Sequence, residues 1–121
     1  MSGGSGYSLE VPAAAEMATT VRVFAAGSAR AMGSEEQQIE EVRLITTELL
    51  ANTIETGGTQ LFLTLSSDQG GWRIEAHGAG SLVTGTAEHS VDRRALISSF
   101  ASIRETEDGL ELRALSPDGD R

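Results

Sequence analysis

The chain has 121 residues, 39% of them apolar, a net charge of −9 and no cysteine. One domain with one core fits that length, while a disulfide framework and a thiolate metal site are excluded. No apolar run is long enough to cross a bilayer, and the acidic balance disfavours nucleic acid and anionic lipid while steering basic protein surfaces toward the chain.

All nine cations are arginine, so no lysine is present to act as a catalyst or hold a phosphate. Residues 1–6, Met1-Ser2-Gly3-Gly4-Ser5-Gly6, lack the charged and apolar regions of a signal peptide and are expected to form a disordered tail. A cytoplasmic location is the default expectation.

Tyr7, Leu9 and Val11 alternate with Ser8 and Glu10, the pattern of a short strand. Pro12 is suited to open a helix. Met17, Val21, Phe24 and Ala31 then recur at helical spacing up to Gly33, with Gly27 costing about 1 kcal/mol against alanine in the helix interior. Ser34-Glu35-Glu36-Gln37 reads as a capping box, with two acids at the positive end of the helix dipole.

The second helix is predicted from Glu35 to Thr56, before Gly57-Gly58. Its apolar arc holds Ile39, Val42, Ile45, Leu49, Leu50 and Ile54. Glu48 and Asn52, four residues apart, are separated by roughly 40° around the axis and border that arc. A carboxylate and a carboxamide so placed can share a water or a magnesium ion. The plainer reading is that Glu41, Glu48 and Glu55 form a solvated acidic stripe and that Asn52 bonds to nearby backbone.

Leu61, Leu63 and Leu65 mark a second strand, and Asp68-Gln69-Gly70-Gly71 a turn. Trp72, Ile74 and Ala76 share one face of a third strand, with Arg73, Glu75 and His77 on the other. The two strands are predicted to pair as an antiparallel hairpin, with Trp72 in the core. Gly78-Ala79-Gly80 follows, a turn in which backbone can approach a ligand closely. Residues 78–90 form a long loop of the kind that serves as a lid. A short helix is predicted over 91–99, sending Leu96, Ile97 and Phe100 inward. Residues 102–107 and 110–115 form a last hairpin through Asp108-Gly109. Residues 116–121 are expected to be disordered. His77 and His89 have no third ligand at a suggestive spacing and read as surface histidines.

This order of elements, with Glu48-Leu49-Leu50-Ala51-Asn52 on the second helix and Gly78-Ala79-Gly80 after a strand, resembles the GHKL, or Bergerat, histidine-kinase-like ATPases. Within them it is similar to the small bacterial anti-sigma-factor serine kinases and their actinobacterial relatives. The likeness covers residues 7–115. Leu44 to Asn52 carries most of it, with support from Arg22 and from Arg94-Ala95-Leu96-Ile97. The resemblance implies an α+β fold, a two-layer sandwich of about five mostly antiparallel strands covered on one face by three helices. It implies that Glu48 serves as general base, that Asn52 holds magnesium, and that Gly78 and Gly80 lie beneath adenine.

Two positions depart from the family pattern. An aspartate that grips the adenine amine is replaced by Ala76, and a glycine-rich phosphate loop by Ser90-Val91-Asp92-Arg93-Arg94. Val91 and Arg93 stand where glycines would allow close backbone approach. Arg93 or Arg94 could still attract phosphate by charge. The expectation is a degenerate member without a working cofactor, regulating through a sigma factor, an anti-sigma antagonist or a GHKL homologue, in a form compatible with a homodimer. The competing expectation is an active Mg-ATP-dependent serine kinase that phosphorylates an antagonist protein. A third is that the chain is an unrelated small α+β sandwich.

Overall fold

The computed structural model describes residues 6–69, 71–82 and 88–115, with side chains in the last segment described from Asp92 onward. The expected disordered tails lie outside these residues apart from Gly6, as do residues 83–87 of the expected lid and the side chains of His89 and Val91.

Five strands form one antiparallel sheet in the order β1-β2-β3-β5-β4. They are β1 (Tyr7–Pro12), β2 (Gln60–Asp68), β3 (Gly71–His77), β4 (Ala101–Thr106) and β5 (Gly109–Ala114). Helices α1 (Ala18–Ala31) and α2 (Glu36–Glu55) connect β1 to β2, and α3 (Glu88–Ser98) connects β3 to the far edge strand β4. A short 3-10 turn, Ala15–Met17, precedes α1. The protein is therefore an α+β domain of five antiparallel strands and three helices.

The period-2 pattern of the strands sets which face is covered. Leu61, Leu63 and Leu65 of β2, Trp72, Ile74 and Ala76 of β3, and Leu110 and Leu112 of β5 are all buried. Against them pack Val21, Ala25 and Ala29 of α1, Ile39, Val42, Ile45 and Leu49 of α2, and Ile97 of α3. The opposite face is polar. Glu111 accepts from Arg73 Nε at 2.7 Å, from Arg113 Nη2 at 3.0 Å and from Arg104 Nη1 at 3.3 Å, and Arg73 also pairs with Glu75. The hydrogen bond from Arg73, then that from Arg113, hold the Glu111 carboxyl below the usual carboxylate range.

Four details correct the sequence expectations. Pro12 does not open a helix; it ends β1 opposite Gln60. β1 is an edge strand, where a missing N–H is tolerated. Ser34 does not cap α2. Its backbone N–H closes the end of α1 by donating to the Ala29 carbonyl at 3.0 Å, so Glu35 takes the cap position without a side-chain bond. The last helix begins at Glu88, earlier than the expected 91. Leu96 is 38% exposed, because the inward positions of α3 are taken by Arg93 and Ile97, one turn apart.

Candidate functional site

The site lies where α2, α3 and the turn after β3 meet. α2 presents Glu48, Asn52 and Glu55 at i, i+4 and i+7, a single stripe along the helix. α3 sends Arg93 across to it. Nε donates to Glu48 Oε1 at 2.8 Å, Nη1 to Asn52 Oδ1 at 3.2 Å and to Glu55 Oε1 at 2.9 Å, and Nη2 to Glu55 Oε2 at 3.0 Å. The contact with Glu55 is a two-pronged fork, the geometry for which a planar guanidinium is suited.

Arg93 is only 7% exposed, so its charge depends on these partners. The hydrogen bond that Arg93 donates to Glu55 is the main force raising its pKa; the one it donates to Glu48 acts in the same sense, and both prevail over burial.

Asn52 is fully buried and committed at both ends. Its oxygen accepts from Arg93, and its Nδ2 donates to the Ala79 carbonyl at 2.6 Å. One turn on, the Thr56 hydroxyl donates to the Asn52 carbonyl at 2.9 Å and lies 3.3 Å from the same Ala79 oxygen. Asn52 thus ties α2 to the Gly78-Ala79-Gly80 turn and to α3 together.

The two glycines are required by the fold itself. Gly78 has φ +91° and Gly80 φ +80°, a region that side chains other than glycine rarely adopt. A Cβ on Gly78 would collide with the Gln60 carbonyl oxygen, and one on Gly80 would come within 2.8 Å of Thr56 Cβ. Their close approach is to the protein's own backbone and side chains.

Ala76 is fully buried, opposite Leu63 on one side and Leu110 on the other. His77 points to the other face, where Nδ1 meets the Asp108 carbonyl at 2.7 Å. Beyond the turn lies a groove of about 250 Å³ lined by Gly78, Gly80 and Ser81 and rimmed by Glu105, Glu107 and Asp108. Ser81 Oγ donates to Glu105 Oε2 at 2.9 Å. Its acidic rim repels a polyphosphate. Arg94 leans toward Glu105 at 4.0 Å, a distance without a hydrogen bond.

The structure therefore gathers Glu48, Asn52 and Arg93 at one point and brings Gly78 and Gly80 up to it through Ala79. The acidic stripe stays partly exposed, but it is not merely solvated: Glu48 and Glu55 hold Arg93, and Glu41 Oε1 accepts from Trp72 Nε1 at 3.2 Å. Glu55 is the member that sequence reasoning missed. The signal was present in its i+7 spacing from Glu48, but a partner 38 residues away along the chain is not visible in any local pattern. Among the described residues no group of three or more His, Asp or Glu side chains is arranged to hold a metal, and no helix is long and apolar enough to cross a membrane.

No protein-family model and no curated protein matches the sequence. What the molecule itself defines is an α+β domain whose helix layer is fastened by one buried arginine.

Proposed function

We propose that this chain is a degenerate relative of the GHKL ATPases, of the anti-sigma-factor serine kinase type, that regulates by binding another protein and turns over no ATP. One observation carries the reading: the Arg93 guanidinium fills the space between Glu48, Asn52 and Glu55. In the family resemblance, Asn52 is the magnesium ligand and Glu48 the base. Here the Asn52 oxygen faces a cation supplied by α3, and its nitrogen is spent on Ala79. A divalent ion would have to displace a forked ion pair and then share the site with a guanidinium.

Ala76 supports the same reading. The adenine anchor position carries a methyl group packed between leucines, and nothing there can accept a hydrogen bond from a purine amine. The residues present do not fit a magnesium nucleotide. The partner classes that the resemblance implies are a sigma factor, an anti-sigma antagonist or an intact GHKL homologue.

Titration calorimetry with Mg-ATP tests the proposal. No heat beyond dilution at millimolar nucleotide is expected. Micromolar binding would overturn it in favour of an active kinase in which Arg93 swings clear of Asn52.

A further inference from the structure

Five acids are half-buried among the described residues: Glu41, Glu48, Asp68, Glu75 and Glu111. Four of them are ion-paired with an arginine. Glu41 is not. Its oxygens accept from neutral groups, Oε1 from Trp72 Nε1 at 3.2 Å and Oε2 from Gln37 Nε2 at 3.3 Å. Both bonds are long for a charged acceptor, where about 2.7–2.9 Å is usual. A carboxylate drawn partly out of water costs free energy unless an opposite charge meets it.

Glu41 opens onto a hollow of about 450 Å³ between α2 and the junction of α3 with β4. That volume falls among those of small-molecule clefts, about 300–1,000 Å³. Leu44 and Phe100, both half-buried, supply its apolar wall, and Gln37 and Glu40 complete the lining. Glu40 is paired with Arg43 at 2.7 Å, so the uncompensated charge in the hollow is that of Glu41. The hollow stands apart from the Arg93 cluster. Glu41 precedes Glu48 on α2 by roughly 10 Å along the helix axis.

The wall selects an apolar body, and the carboxylate selects a cation. An anion would be repelled by Glu41 and by the net charge of −9. An uncharged apolar molecule would take Glu41 further out of water and give it no partner. An ammonium supplies the missing charge at hydrogen-bond range, while an attached body removes Leu44 and Phe100 from water.

We propose that this hollow binds a small organic amine, an aryl or branched alkyl body carrying one ammonium group. The ammonium pairs with Glu41, and the body covers Leu44 and Phe100. Trp72 senses the event, because its indole N–H is bonded to the same carboxylate. The site goes beyond the pseudo-enzyme reading and stands independently of it.

The test titrates phenylbutylamine, phenylbutanol and phenylbutyrate into the isotope-labelled full chain. The amine is expected to shift the amide signals of Glu41, Leu44 and Phe100 and the Trp72 indole N–H, with a Kd of about 1 mM or tighter. The alcohol is expected to bind at least fivefold more weakly, and the carboxylate not at all. Glu41→Gln keeps an oxygen for the Trp72 indole and removes the charge. It is expected to retain the circular dichroism spectrum, to lose at least fivefold in affinity for the amine, and to bind the alcohol as wild type does. The comparison of amine with alcohol on the unaltered chain decides the matter even if the variant fails to fold. The proposal is overturned by an absence of shifts at these residues, by equal affinity for the alcohol, or by undiminished amine binding to a folded Glu41→Gln. A lysine-rich helical peptide that displaces the amine at lower concentration would assign the hollow to a protein partner, and that also overturns it.

Discussion

Arg93 Nη1 lies 3.2 Å from Asn52 Oδ1, and the amide nitrogen of that same Asn52 lies 2.6 Å from the Ala79 carbonyl. Three segments distant in sequence are thereby joined through one carboxamide: α3, α2 and the turn leaving β3. The orientation of the amide is fixed by its neighbours, because only the oxygen can accept from a guanidinium and only the nitrogen can donate to a carbonyl.

Arg93→Ala is expected to remove the guanidinium that Glu48, Asn52 and Glu55 share. Breaking a fully buried pair costs about 3–5 kcal/mol. Both carboxylates are partly exposed, at 27% and 34%, so solvent screening reduces the expected loss to about 2 kcal/mol. Urea denaturation measures it. Arg93→Lys is expected to recover less than half, since an ammonium cannot form the fork to Glu55.

Ala76→Asp places a carboxylate in a fully buried position between leucines. The expected cost is about 3 kcal/mol or more. Nucleotide binding is not expected to return with it, because Arg93 still occupies the Asn52 oxygen. Calorimetry with Mg-ATP on the single variant and on A76D/R93A separates the two obstacles. Binding restored by A76D alone would show that Arg93 is no obstacle.

Gly80→Ala must hold φ near +80° and push its methyl group into Thr56. Strain and collision together are expected to lower stability by more than about 1 kcal/mol. Thermal denaturation, with Gly27→Ala in the helix interior as the contrasting substitution, checks this. A Cβ on Gly27 meets nothing within 4 Å, and that variant is expected to be neutral or stabilising.

Glu111 contributes a pH dependence to the open sheet face. Its carboxyl titrates below its ordinary value of 4.5 in the folded protein, chiefly because of Arg73. A carboxyl with a depressed folded pKa contributes stability that is fully present above the unfolded pKa and fades as pH falls through the folded one. Wild type is therefore expected to lose stability more steeply than Glu111→Gln below about pH 4.5. Above that range the curves are expected to run parallel, with the variant lower. Denaturation midpoints at a series of pH values provide the comparison.

Much of this fold was written in short-range pattern. The alternation of Leu61, Leu63 and Leu65, and of Trp72, Ile74 and Ala76, specifies both the strands and their buried face, and Asp108-Gly109 specifies the last turn. What was not legible depends on tertiary neighbours. Ser34 has the chemistry of a cap, but its N–H is needed by the helix before it. Arg93 looks like a residue available for phosphate until α3 is folded onto α2, when two carboxylates and a carboxamide take it first. The glycine turn reads as a ligand cradle, yet the groups it makes room for are Gln60 and Thr56.

The single tryptophan gives this architecture an optical handle. Trp72 belongs to β3, is fully screened from water, and donates its indole N–H to Glu41 on α2. Its emission therefore reports contact between the two layers, and reports it at a position far from the Arg93 fastening in sequence. A red shift that trails the loss of α3 signals would mean that the last helix peels away while the sheet and α2 stay clasped. Coincident transitions would mean that the domain melts as one unit.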